Sequence, residues 1–66
     1  MIVIVNSKET EVPADATVQS LVQALKLAEQ RVAVEVNQEL VTRRAWQEYT
    51  LKAGDRVEIV SFVGGG

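Results

Sequence analysis

The sequence predicts an α+β domain in which one main helix packs across a single mixed sheet. Three observations carry that expectation. β-prone apolar runs stand near both ends of the chain, Met1 to Val5 and Arg56 to Val63. Between them only one stretch has helical spacing, with Val18, Leu21, Val22 and Leu25 at i, i+3, i+4 and i+7. A third strand is marked by the strict alternation from Arg31 to Asn37, which sends Val32, Val34 and Val36 to one face.

Composition narrows the class further. At 66 residues the chain makes one domain, near the lower limit for folding without staples. It has no cysteine, which excludes disulfides, iron–sulfur clusters and thiolate metal sites, and no histidine, the commonest general base and metal ligand. A Ser–His or Cys–His catalytic pair is therefore impossible. A hydrophobic share of 47% suffices for a small core and argues against disorder. The net charge of −2 speaks against nucleic acid, which calls for a clustered basic surface. No apolar run approaches the ~20 residues of a membrane span, and the first residues show neither a basic region nor a cleavage site. The expectation is a cytoplasmic protein, off the membrane, binding no metal or cofactor of its own, and not an enzyme.

Each element has its own signals. Apolar residues at every position from Met1 to Val5 suggest a strand covered on both faces. Asn6-Ser7-Lys8 reads as a turn, and Glu9 to Val12 as the returning arm of a hairpin. Asn-Ser is a poorer hairpin turn than Asn-Gly, so a longer loop is expected there. Pro13 ends the second strand because it has no N–H to give the ladder. Thr17 is placed to cap the helix, which should end between Lys26 and Gln30, with Gln19, Gln23 and Lys26 on the wet side.

After the third strand, Asn37-Gln38-Glu39 reads as a turn and Leu40-Val41 as a short return strand. Thr42 is positioned to cap a brief helical turn through Arg43, Arg44 and Ala45, and Trp46 should fold back onto the core. Arg43-Arg44 is the only basic pair, suited to solvated surface or to an acidic partner patch. Lys52-Ala53-Gly54-Asp55 reads as a tight turn needing a positive φ at Gly54, and it launches the last strand. A hairpin, a helix crossover and a long last strand make the first and last strands parallel neighbours in mid-sheet. That is the β-grasp, or ubiquitin-like, arrangement, here expected over residues 1–63 with 64–66 as a flexible tail.

The tail is Gly64-Gly65-Gly66, directly after the apolar Val60-Ser61-Phe62-Val63. Three extended residues reach roughly 10 Å, and without Cβ atoms they can thread a narrow cleft. A terminal carboxylate on Gly66 has no α-substituent, so a nucleophile approaches its carbon unhindered. This suits a carrier loaded on its own C-terminus; the plain alternative is a frayed end.

The chain resembles the thiamine-pathway sulfur carrier family, ThiS, over its whole length. The resemblance rests on Ile2-Val3-Ile4-Val5-Asn6, Val34-Glu35-Val36-Asn37, Val41 with Arg43 and Trp46, Gly54-Asp55-Arg56-Val57-Glu58-Ile59-Val60, and Gly64-Gly65-Gly66. Ser7 and Thr42 depart from the glycine and proline common in that family, which bears on turn geometry rather than function. The resemblance implies that a ubiquitin-activating-type adenylyltransferase uses ATP to make an acyl-adenylate at Gly66. A sulfur donor fed by a cysteine desulfurase would convert it to a thiocarboxylate, and thiazole synthase would accept the sulfur. Gly64 and Gly65 would thread the partner's active site.

Alternation along the last strand puts Val57 and Ile59 on the core side and Glu58, Val60 and Phe62 on the other. Val60 and Phe62 on that face, together with Val63 next to the glycines, are expected to dock the partner, unless neighbouring strands or Trp46 cover them. Two other readings remain: the sulfur carrier of molybdopterin synthase (MoaD-like), and a ubiquitin-like protein modifier or binding module.

Overall fold

The β-branched runs pair into one five-stranded sheet with strand order β2-β1-β5-β3-β4 in the computed structural model, which describes residues 1–62. The strands are β1 (Ile2–Val5), β2 (Lys8–Glu11), β3 (Val32–Val36), β4 (Glu39–Val41) and β5 (Arg56–Ser61), with helix α1 at Val18–Ala24. Short 3-10 turns at Glu29–Arg31 and Arg43–Ala45 complete the elements. As expected, β1 and β5 are parallel neighbours, Ile4 beside Arg56 and Val5 beside Val57. The last strand is the centre of the sheet, flanked on its other side by antiparallel β3.

Only one face of that sheet carries α1, and this corrects the expectation for β1. Val3 and Val5 are buried, but Ile2 is exposed and Ile4 half-buried. The uninterrupted apolar run has one face on the core and one on an uncovered surface. The core itself is rich in valine: Val3, Val18, Val22, Val34, Val36 and Val57 are fully enclosed with Trp46 and Leu51. Among the described residues no polar or charged side chain is buried. Valine's restricted χ1 leaves little rotamer freedom to lose on packing, which suits a core this small.

Both hairpins turn in two residues. Val5 pairs with Lys8, so Asn6-Ser7 is the whole first loop, shorter than expected and with Lys8 already in the strand. Asn6 at φ 49° and Ser7 at φ 72° are both left-handed, as a type I′ turn demands. Asn37 at φ 53° and Gln38 at φ 72° repeat the arrangement between Val36 and Glu39. The matching twist of the strands favours this tight turn even without glycine at its second position.

Thr17 caps α1 as expected, and its backbone N–H donates to Ser20 Oγ while the Thr17 hydroxyl accepts from the Ser20 N–H. The helix ends sooner than expected. Lys26 turns left-handed at φ 59°, its N–H donating to the Gln23 carbonyl and the Leu27 N–H to the Val22 carbonyl. This is a Schellman closure with lysine where glycine is usual. Leu25 becomes the C-cap and is exposed, so the core stripe is Val18, Leu21 and Val22 only. Thr42 sits at the N-cap position of the second 3-10 turn, yet its side chain makes no cap hydrogen bond, contrary to expectation. Trp46 is buried deeper than a cover, with Nε1–H donating to the Val41 carbonyl at 2.9 Å. Gly54 has φ 85°, as the turn into β5 requires, and Asp55 closes that turn by accepting the Lys52 N–H at 2.8 Å.

Candidate functional site

The strand leading to the glycines is held from both sides by the hairpin turns. Register pairs Ala33 with Val60, Val34 with Ile59 and Glu35 with Glu58 across β3 and β5. At its start, the Asn37 amide accepts from the Arg56 N–H at 3.0 Å and donates to Asp55 Oδ1 at 3.0 Å. Further along, Asn6 Oδ1 accepts from the Ile59 N–H at 2.8 Å, and Asn6 Nδ2 donates to the Ile59 carbonyl at 3.2 Å. The Phe62 N–H donates to the Arg31 carbonyl at 2.9 Å, so pairing persists past the end of β5.

Side chains alternate along this strand. Val57 is fully buried and Ile59 half-buried, while Val60 is 57% and Phe62 55% exposed. Trp46 belongs to the core beneath α1, where its carbonyl accepts the Gln19 N–H, and leaves these two residues open. Val60 and Phe62 therefore lie on the uncovered face. Val63, Gly64, Gly65 and Gly66, the remainder of the expected docking and carrier segment, lie outside the described residues.

Two neighbours extend the apolar surface beyond the residues singled out in the sequence. Ala33 stands opposite Val60, and Leu40, 65% exposed, stands beside Glu35. The signal for Leu40 was present, since it is out of phase with the buried Val41. Glu35 and Glu58 face each other across the same surface, where like charges directly opposite disfavour pairing by up to about 1 kcal/mol. Arg43 and Arg44 are exposed and lie in the turn after β4.

Among the described residues no cluster of carboxylates has the geometry to hold a metal ion, and no helix is long and apolar enough to cross a membrane. What the fold presents is an apolar sheet face beside an outgoing strand.

One helix across a mixed sheet with parallel first and last strands defines a ubiquitin-like, β-grasp protein. The match to the ThiS family model runs from residue 2 to residue 66, and the chain belongs to that family. The crystal structure of the thiamine biosynthesis protein ThiS from Geobacter metallireducens is 40% identical, with a TM-score of 0.85 over all of both chains. The solution structure of a thiamine biosynthesis protein from the same organism superposes with a TM-score of 0.81 at 40% identity, covering all of this chain and 88% of the other. Thiazole synthase from Paramagnetospirillum magneticum is 36% identical over 66 residues, and that from Magnetococcus marinus 34% over 61 residues. These alignments cover 100% and 92% of this chain but only 20% and 19% of those proteins, so the chain spans about a fifth of their length.

Proposed function

We propose that this chain is a sulfur carrier in the formation of the thiamine thiazole, acting as a co-substrate rather than a catalyst. The observation that carries this reading is the family match, which extends through Gly64, Gly65 and Gly66 and is joined by similarity to thiazole synthases. The carboxylate of Gly66 is inert until one oxygen becomes a leaving group. An adenylating partner of the ubiquitin-activating type supplies that step: a carboxylate oxygen attacks the α-phosphorus of ATP and pyrophosphate departs. A sulfur nucleophile supplied by a cysteine desulfurase then attacks the acyl carbon and expels AMP. That nucleophile is a persulfide on the sulfur donor, so the product is an acyl disulfide. A thiol then cleaves its S–S bond, forming a disulfide with the donor's sulfur and leaving a thiocarboxylate on Gly66, whose sulfur thiazole synthase takes. ATP is bound by the partner, and this chain contributes the acyl carbon, a slim tether and a docking face.

Docking falls to Val60, Phe62 and Val63. Ordering the three glycines costs roughly 1–2 kcal/mol each in backbone entropy, which body docking must offset. An exposed aromatic beside the tether is suited to that task.

Intact mass after incubation with an adenylating enzyme, ATP and a sulfur source tests the reading. A gain equal to one sulfur-for-oxygen exchange, abolished by deleting Gly66, is the expected result. No gain, or a gain that survives the deletion, rejects it. For the docking face, Phe62→Ala should weaken transfer more than folding; equal losses in thermal stability and transfer would reject the assignment.

A further inference from the structure

Asn6 occupies a position where the sheet would otherwise end on one side of β5. The hydrogen-bonded pairs between β3 and β5 direct the backbone groups of Val57, Ile59 and Ser61 away from β3, toward the β1 side. There β1 stops at Val5 and turns back, after the Asn6 N–H has reached the Val57 carbonyl at 2.8 Å. No further backbone follows to receive Ile59. The Asn6 side-chain amide takes that place, accepting from the Ile59 N–H at 2.8 Å and donating to its carbonyl at 3.2 Å. A primary amide has the same donor and acceptor pair as a peptide unit, so it extends β1 by one more link.

We propose that Asn6 is a positioning residue for the carrier tail. Its amide is a splint that fixes the direction of β5 at Ile59, three residues before Phe62 and on the approach to the tail. The inference rests on the sulfur-carrier reading for its consequence and on the hydrogen bonds alone for its mechanical part. Without the splint, the strand beyond Val57 is held by β3 only and can swing about that one ladder. A partner enzyme would dock the same apolar face but receive the carboxylate in a productive pose less often, because orientation at the reacting carbon governs rate.

A matched control is built into the molecule. Asn37 has the same left-handed φ at the same position of the other two-residue turn, and it too bonds β5, but at Arg56, the end far from the tail. Asn6→Gly and Asn37→Gly each delete an amide while keeping a residue that accepts φ near 50°. Both should lower thermal stability to a similar degree. Only Asn6→Gly should speed amide hydrogen exchange at Ile59 and Phe62, by about tenfold, the scale expected for one lost exposed hydrogen bond of about 1.4 kcal/mol.

With an adenylating enzyme that accepts the wild-type chain, Asn6→Gly should reduce kcat about tenfold with KM within about twofold, while Asn37→Gly leaves kcat unchanged. Equal effects of the two substitutions on kcat would overturn the proposal and leave Asn6 a purely structural residue. So would unchanged exchange at Ile59 and Phe62 in Asn6→Gly. If no adenylating enzyme acts on the wild-type chain, the sulfur-carrier reading fails with the tail-positioning consequence. The exchange comparison then still decides whether the splint exists.

Discussion

Among the described residues, five other than glycine hold a positive φ: Asn6, Ser7, Lys26, Asn37 and Gln38. The asparagines tolerate it, since this residue type visits the left-handed region readily and their amides are held by hydrogen bonds to β5 and the turn before it. Ser7, Lys26 and Gln38 have no such compensation, and a left-handed L-residue costs roughly 1–2 kcal/mol. Ser7→Gly, Gln38→Gly and Lys26→Gly should each stabilise the fold, by about 0.5–1 kcal/mol after the larger unfolded-state entropy of glycine is counted. Denaturant titration checks this: the midpoint should rise with unchanged slope. A fall for Ser7→Gly would mean that its side chain contributes something the structure gives no sign of. The same residues show where sequence reading stopped short. Asn-Ser lacks the glycine signature of a two-residue turn, and lysine lacks that of a helix end, because intrinsic backbone preference is outvoted here by strand twist and by the Schellman hydrogen bonds.

At the scale of elements, α1 is only seven residues long, too short to persist on its hydrogen bonds alone. Its ends therefore matter more than its middle. Thr17 and Ser20 close both directions of the N-terminal cap, at 3.1 Å and 2.9 Å. Thr17→Ala should cost about 1 kcal/mol, read as a lower thermal midpoint. Thr17→Ser should retain most of the stability, since the acceptor oxygen survives. Equal losses for the two would point to the threonine methyl rather than the cap.

This helix was legible from spacing because Val18, Leu21 and Val22 meet the sheet. Leu25 was misplaced because the pattern of apolar residues says nothing of where the backbone stops being helical. β1 misled in a related way: a run of β-branched residues satisfies both a doubly covered strand and one whose outer face awaits a partner. The candidate surface was half legible. Val60 and Phe62 followed from period-two alternation along one strand. Ala33 and Leu40 come from other strands, and only register places them beside the same surface.

For the molecule as a whole, stability is a small total distributed over few contacts. A domain of 66 residues has about 3–10 kcal/mol to spend before unfolding. Trp46 is the largest fully buried side chain, lying between the helix layer and the sheet, and it also satisfies the Val41 carbonyl. Truncation of such a residue removes about 3–5 kcal/mol, so Trp46→Ala should leave the chain largely unfolded at 37 °C. Trp46→Phe keeps much of the volume but removes the indole N–H that donates to the Val41 carbonyl, a loss of about 0.5–1.5 kcal/mol. That corresponds to roughly 4–8 °C of thermal midpoint for each kcal/mol in a domain of this size.

Because Trp46 lies on the helix side of the sheet and Val60 and Phe62 on the other, the Trp46→Phe protein should be normal in transfer once corrected for its folded fraction. Circular dichroism melting and the thiocarboxylate mass assay, run on the same sample below its midpoint, separate the two effects. A transfer defect in the fully folded Trp46→Phe protein would show that the core and the outer face are mechanically coupled. In that event the outgoing strand could not be treated as positioned by its own hydrogen bonds alone.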